Sequence, residues 1–175
     1  MKLNRISLVL LAALLVVMGT AQAAPTANEN DGDESKAASG LPLPRFASLR
    51  SSDVNMRTGP GTRYPIEWVL KHQGLPVEIV AEYEIWRRVR DSDGSLGWVH
   101  KSALSGKRMA LITGSMHDMH KNNDDKSEVV AHLEMGTTGQ VMSCAKDWCK
   151  VKFSGIKGYL RKTDFWGAYP NEVFD

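Results

Sequence analysis

The sequence predicts an all-β protein built as two small β-domains in tandem. Three observations predict it. Beyond residue 45, short strand-like runs are punctuated by turn residues every eight to twelve positions. No stretch of that region holds a long 3.6-residue periodicity, so nothing there points to a helical core. A unit of roughly 60 residues also recurs once, with its turns in register.

Each segment can be justified in order. Met1–Ala23 has Lys2 and Arg5 as a positive start, an apolar run over Ile6–Met18, and Ala21-Gln22-Ala23 before Ala24. Those three features together predict a secretory signal peptide cleaved after Ala23. A retained anchor would need about 20 apolar residues, and Gly19, Thr20 and Gln22 interrupt the run. The expected product is exported, periplasmic or secreted, with no stable membrane insertion after cleavage and in a compartment that permits disulfides.

Residues 24–45 contain no aromatic and no β-branched aliphatic residue, and place Glu29, Asp31, Asp33 and Glu34 within six positions. Such a segment buries too little apolar surface to offset its ordering entropy, and it is expected to be a disordered linker. Strands are expected over Glu67–Lys71, Pro76–Glu82, Ile85–Asp91 and Ser95–Val99. Asp93-Gly94 suits a two-residue hairpin turn with positive φ at both positions. His100–Leu104 suits a short helical turn.

The repeat matches Leu70, Gly74, Ile79, Trp86, Val89, Gly97, Trp98 and Leu104 to Leu133, Gly136, Val141, Trp148, Val151, Gly158, Tyr159 and Phe165. The offset falls from 63 to 62 to 61, one residue being lost at each of two loops, where deletions are tolerated. Units this small sit near the lower size for a self-sufficient core, so packing of one on the other is expected. The boundaries read as a first domain over 46–105, a second over 106–168 and a tail over 169–175.

The first unit carries Val54-Asn55-Met56-Arg57, Thr58-Gly59-Pro60, Tyr64-Pro65, Leu70, Gly74, Trp86, Val89 and Gly97-Trp98-Val99. In this combination it resembles the bacterial Src-homology-3-like domain, a small β-barrel of exported cell-envelope proteins. The second unit resembles a divergent copy: it keeps WCKVKFSGIKGYL but has MHDMHKNNDDKS in place of the opening motif. The resemblance implies two tandem SH3-like barrels and a non-enzymatic role in binding peptidoglycan or a peptide segment of an envelope protein. Regulation of a wall hydrolase is the alternative it implies.

A barrel can collect loop aromatics and a cation at one rim, where they offer stacking surface and donors to an extended peptide or sugar. Arg57, Tyr64, Trp86 and Trp98 are the candidate ligand-binding residues on that basis. Either tryptophan could equally be packing, and Arg57 could simply brace the loop that follows it. With the opening motif replaced in the second unit, ligand binding is expected of the first.

Charge and chemistry exclude other classes. Lys and Arg total 22 against 20 Asp and Glu, and the chain beyond Ala23 is neutral, which speaks against a nucleic-acid partner. No serine sits in a nucleophile elbow, no carboxylate pair stands out, and TGPGT lacks the lysine of a phosphate-cradling loop. No catalytic residue and no cofactor are therefore expected. Cys144 and Cys149, the only cysteines, flank a short hairpin tip and are expected to form a disulfide rather than a Cys–His nucleophile. Met116, His117, Met119 and His120, with His132 and Met135, are a soft-ligand set for copper, but strand spacing sends His117 and His120 to opposite faces, so no metal site is assigned. Lys146, Lys150, Lys152, Lys157, Arg161 and Lys162 make the second unit locally basic.

Overall fold

The computed structural model describes residues 38–175. The expected signal peptide over 1–23 and the expected linker up to residue 37 lie outside the described residues. Alternating apolar and polar positions produce seven strands in the first unit: β1 (Arg45–Leu49), β2 (Val54–Arg57), β3 (Ile66–Leu70), β4 (Pro76–Tyr83), β5 (Trp86–Arg90), β6 (Leu96–His100) and β7 (Leu104–Ser105). Seven more follow in the second: β8 (Met109–Ile112), β9 (His117–His120), β10 (Val129–Leu133), β11 (Thr138–Cys144), β12 (Trp148–Phe153), β13 (Ile156–Arg161) and β14 (Phe165–Trp166). The sheet orders are β3-β2-β6-β5-β4-β1-β7 and β10-β9-β13-β12-β11-β8-β14, so the second is the first displaced by seven strands. No helix among the described residues is long and apolar enough to cross a membrane.

Each sheet closes on its own core. Val54, Met56, Val77, Val89, Val99 and Leu104 fill the first, and Ile112, Met119, Val151, Phe153, Leu160 and Phe165 the second. The repeat pairs Gly97 with Gly158 for a steric reason. A Cβ on Gly97 would lie 2.3 Å from Met56 Cγ, and one on Gly158 would lie 2.6 Å from Met119 Cγ. A methionine thus crosses the neighbouring strand at the same place in both cores, and only glycine leaves room for it. A single 3-10 turn follows each sixth strand (Lys101–Ala103 and Lys162–Asp164), the first capped by His100 Nδ1, which accepts from the Ser102 N–H.

Three expectations need correction. The Asp93-Gly94 turn is a three-residue loop, Ser92–Gly94, between Asp91 and Ser95, with positive φ at Gly94 alone. The Asp91 carboxylate takes the N–H groups of Asp93 and Ser95 at 3.0 and 2.8 Å and so anchors the longer loop. Two-residue hairpins occur instead at Glu84-Ile85 and Ser154-Gly155, which is why β5 starts at Trp86 and not at Ile85.

The end of the expected linker is folded. Arg45 begins β1, and Ser39 donates its N–H and hydroxyl to the Glu82 carboxylate at 2.6 and 2.8 Å. The expected tail is also folded. Phe174 exchanges both backbone hydrogen bonds with Cys144, and Lys162 Nζ donates to the carbonyls of Lys146, Pro170 and Glu172. In both cases the partner is distant in sequence, and composition does not reveal it.

Cys144 and Cys149 are directly opposed on β11 and β12 and joined as a disulfide, with Cα atoms 4.1 Å apart. Both are buried, at 3 and 0% exposure. Thiol labelling of the native protein without reductant should modify neither; labelling of both would contradict the pairing. Closing so short a ring gives modest entropy, so its loss should cost less than the usual 2–4 kcal/mol (roughly).

Candidate functional site

Residues paired across antiparallel strands share a face. On β2, Val54 and Met56 point into the core, so Arg57 points out. It pairs with Ile66 on β3 and with Trp98 on β6, and Trp98 pairs with Arg88 on β5. Ile66, Arg57, Trp98 and Arg88 therefore form one row across four strands on the outer face. Ile66 is 46% exposed, Arg88 is exposed, and Trp98 is half-buried with part of its surface open to solvent. Arg88 makes no ion pair among the described residues.

The loop Thr58–Pro65 connects two members of this row, Arg57 and Ile66. Thr58 N–H donates to the Pro65 carbonyl at 3.1 Å and closes the loop at its base. Arg57 Nη1 donates to the carbonyls of Thr62 and Tyr64 at 3.2 and 2.7 Å, so this guanidinium braces the loop. The Tyr64 ring lies on the Gly59 backbone: a Cβ there would sit 2.5 Å from Tyr64 Cδ1. The Arg63 guanidinium stacks over the ring, 5.2 Å from its centre.

Of the four candidate residues, Arg57, Tyr64 and Trp98 come together. Trp86 does not join them. It pairs with His100 and Tyr83 one row away, meets His100 edge-to-face at 5.6 Å, and is 7% exposed, so it offers no stacking face. Sequence reasoning missed Arg88 and Ile66. The signal for Arg88 was present in IWRRVRD: Trp86, Arg88 and Arg90 alternate with the inward Arg87 and Val89. The edge strand β3 adds exposed Trp68 and Val69 beside Ile66 and, among the described residues, pairs only with β2.

The second domain, whose opening motif is replaced, nevertheless keeps the opening loop. Val129 pairs with His120, His120 with Tyr159, and Tyr159 with Lys150. That row occupies the register positions of Ile66, Arg57, Trp98 and Arg88. The loop Lys121–Glu128 matches Thr58–Pro65 in length, and Lys121 N–H closes it on the Glu128 carbonyl at 2.8 Å. His120 Nδ1 donates to the Ser127 carbonyl at 3.0 Å, seven residues on, as Arg57 does to Tyr64. Ser127 Oγ accepts from the Asn122 N–H at 3.0 Å, where the first domain has Tyr64 lying on Gly59. Residue identity is replaced while strand ends and loop closure are kept.

The expected basic face divides. Lys162 is buried on its three carbonyls, and Arg161 is bonded to Asp125 while its guanidinium stacks over Trp148 at 4.7 Å. That bond to Arg161 holds the Asp125 carboxyl below its usual range. Lys150, Lys152 and Lys157 remain on the outer face of β12 and β13 without an ion pair among the described residues.

The soft-ligand set scatters. Met119 is in the core, Met116 and Met135 are exposed, His117 faces the core side opposite Leu133, and His132 is bonded to Asp118 at 2.6 Å. Among the described residues no three His, Cys, Asp or Glu side chains converge as a metal site. A separate cleft of about 360 Å³ is lined by Leu41, Arg45, Phe46, Arg87, Lys101 and Leu104. Arg45 and Arg87 there already share the Glu82 carboxylate.

The model of the bacterial SH3 domain matches residues 50–106 and again 115–167, one match on each sheet and together more than half of the chain. The chain belongs to the bacterial SH3 domain family. It carries two SH3 domains in tandem. No curated protein sequence matches it. Among solved structures it is similar to NlpC2 and NlpC1 from Trichomonas vaginalis, at 10 and 12% identity and TM-scores of 0.34 and 0.33. Those likenesses cover 73 and 74% of this chain and 49 and 48% of theirs. An NlpC/P60 family protein from Bacillus cereus is similar at 18% identity and a TM-score of 0.29, over 70% of this chain and 57% of that one. The tandem SH3 chain thus spans about half the length of the solved structures it matches.

Proposed function

We propose that this protein is an exported, non-catalytic binding module of the bacterial cell envelope, and that it holds peptidoglycan across the outer face of its first SH3 domain. One observation carries the reading: the Ile66–Arg57–Trp98–Arg88 row, in which a partly open aromatic lies beside a cation with no ion pair among the described residues and an exposed apolar edge. Stem peptides of peptidoglycan are short extended chains with free carboxylates. Arg88 suits the carboxylates, Trp98 gives a stacking surface, and the open edge of β3 can add an extended strand. Rigid strands hold these groups, so little ordering entropy opposes binding.

Co-sedimentation of the mature protein with purified peptidoglycan tests this. Wild type should pellet with it. Trp98→Ala should weaken binding by about 1–3 kcal/mol, by analogy with aromatic stacking in other extended-chain sites, with little change in melting temperature. Trp86→Ala should instead lower stability by about 3–5 kcal/mol, as a buried Trp does. Wild-type protein left wholly in the supernatant would refute the reading.

A further inference from the structure

We infer that the second domain docks on an anionic membrane surface through the outer face of β12 and β13, where Lys150, Lys152 and Lys157 lie together. The inference stands apart from the peptidoglycan reading. It uses other residues, on the other domain, for another partner.

The two repeats supply the first observation. Glu78, Arg90 and Leu96 stand in one cross-strand row of the first domain. Gln140, Lys152 and Lys157 hold the same row in the second. Each row keeps a base at its centre. The acid on one side has become an amide, and the apolar residue on the other has become a second base. Arg90 Nε donates to the Glu78 carboxylate at 2.8 Å, while Lys152 faces no carboxylate across either strand.

The second observation is the charge this leaves. Strands β11, β12 and β13 carry Lys150, Lys152, Lys157 and Arg161 and no Asp or Glu. None of the three lysines is within ion-pair distance of an acid among the described residues. Lys152 and Lys157 are directly opposed, and like charges so placed are destabilising. An anionic surface laid against the face relieves that opposition.

The third is what accompanies the charge. Strands β12 and β13 turn at Ser154-Gly155, and Ile156, the first residue after the turn, is 47% exposed. Tyr159 lies beside Lys150 on the face, half-buried. Binding to a bilayer surface grows with apolar contact and with attraction to anionic headgroups, and a tyrosine suits the boundary between them. Lysine is a compact, hydrated point charge on a flexible stem, which suits a diffuse layer of headgroups. A discrete phosphate or carboxylate is better met by an arginine fork. The arginine of these strands, Arg161, is already bonded to Asp125 and stacked over Trp148.

The test uses the mature chain with vesicles of phosphatidylglycerol and of phosphatidylcholine, read by co-flotation. Wild type should float with the first and not with the second. Salt at about 1 M should release it, because the screening length falls to about 3 Å. A Lys150→Gln, Lys152→Gln, Lys157→Gln variant should bind phosphatidylglycerol about 10²-fold more weakly, about fivefold for each lysine. It should keep the melting temperature and the peptidoglycan pelleting of wild type. Gln140→Glu leaves every lysine in place and gives Lys152 the acid that Arg90 has, so it should weaken vesicle binding about fivefold. Equal flotation with both vesicles, or full binding by the triple variant, would overturn the inference. So would wild type that ignores vesicles and holds a single-stranded oligonucleotide through these lysines. Wild type that floats with neither vesicle overturns it too, and leaves the peptidoglycan reading to its own assay.

Discussion

Replacing Glu82 with alanine should destabilise the folded protein by about 3–5 kcal/mol, the usual result of removing one partner from a buried ion pair. The Glu82 side chain is fully enclosed, at 0% exposure, and lies between two arginines. Arg87 Nε is 3.0 Å from Oε1, Arg45 bonds to the same oxygen, and Ser39 supplies two more donors. Alanine would leave Arg45 and Arg87 facing each other, with Arg87 still held at the carbonyls of Glu84 and Trp86. It would also release residues 39–45 from the sheet. Urea titration should read the loss as a lower midpoint with little change in slope.

The same carboxylate predicts a pH dependence. Burial alone would raise its pKa, but the bonds from Arg45 and Ser39 outweigh burial and hold it below the ordinary 4.5. A folded pKa below the unfolded one means that the contribution is present above about pH 4.5 and is lost as pH falls through the lowered value. Glu172 is held low by Arg108 in the same sense. Glu82→Ala should therefore flatten the acid limb of the stability curve; a variant as acid-sensitive as wild type would assign that limb to other groups.

What could be read in the sequence, and what could not, follows the range of the interactions. Strands β3 to β6 were legible to within a residue or two, because period-two alternation and turn residues act locally. The disulfide was legible because Cys144 and Cys149 flank one tip. Arg57, Tyr64 and Trp98 were legible as a group, since a loop of eight residues joins the first two. The row itself was not, because it depends on which residue of β5 faces which residue of β6. Ser39 and Tyr169 fall in the expected linker and tail because their partners, Glu82 and Glu78, lie 43 and 91 positions away. The second domain's loop escaped because NNDD shares no side chain with GPGT while closing at the same strand ends.

Phe46→Ala should cost about 3–5 kcal/mol, the range for a buried phenylalanine, and should also divide one unfolding transition into two. Phe46 is 6% exposed and belongs to neither core cluster. It points out of β1, opposite Glu78, into the junction between the domains. There its ring meets Trp166 edge-on at 5.0 Å, Tyr169 at 4.8 Å, and the Arg108 guanidinium at 5.6 Å. Arg108 in turn holds the Gly167 carbonyl and the Glu172 carboxylate, and stacks over Phe174. Tyr169 donates its hydroxyl to Glu78 at 2.8 Å, and burial, with that bond to a carboxylate, pushes the phenol above its usual range.

Arg108 Nε and Trp166 Nε1 are buried at this junction without a hydrogen-bond partner among the described residues. Its strength therefore lies in aromatic packing around Phe46 more than in saturated hydrogen bonding. Removing the ring opens a cavity that three neighbours share, and each domain keeps its own core. Scanning calorimetry should show a single transition for wild type and two for Phe46→Ala, with the first at lower temperature. Tyr169→Phe keeps the ring and removes only the hydroxyl. Glu78 retains Arg90 Nε at 2.8 Å, so that variant should cost about 1–3 kcal/mol and preserve the single transition. If Phe46→Ala melts in one step close to wild type, the domains are not coupled through this ring.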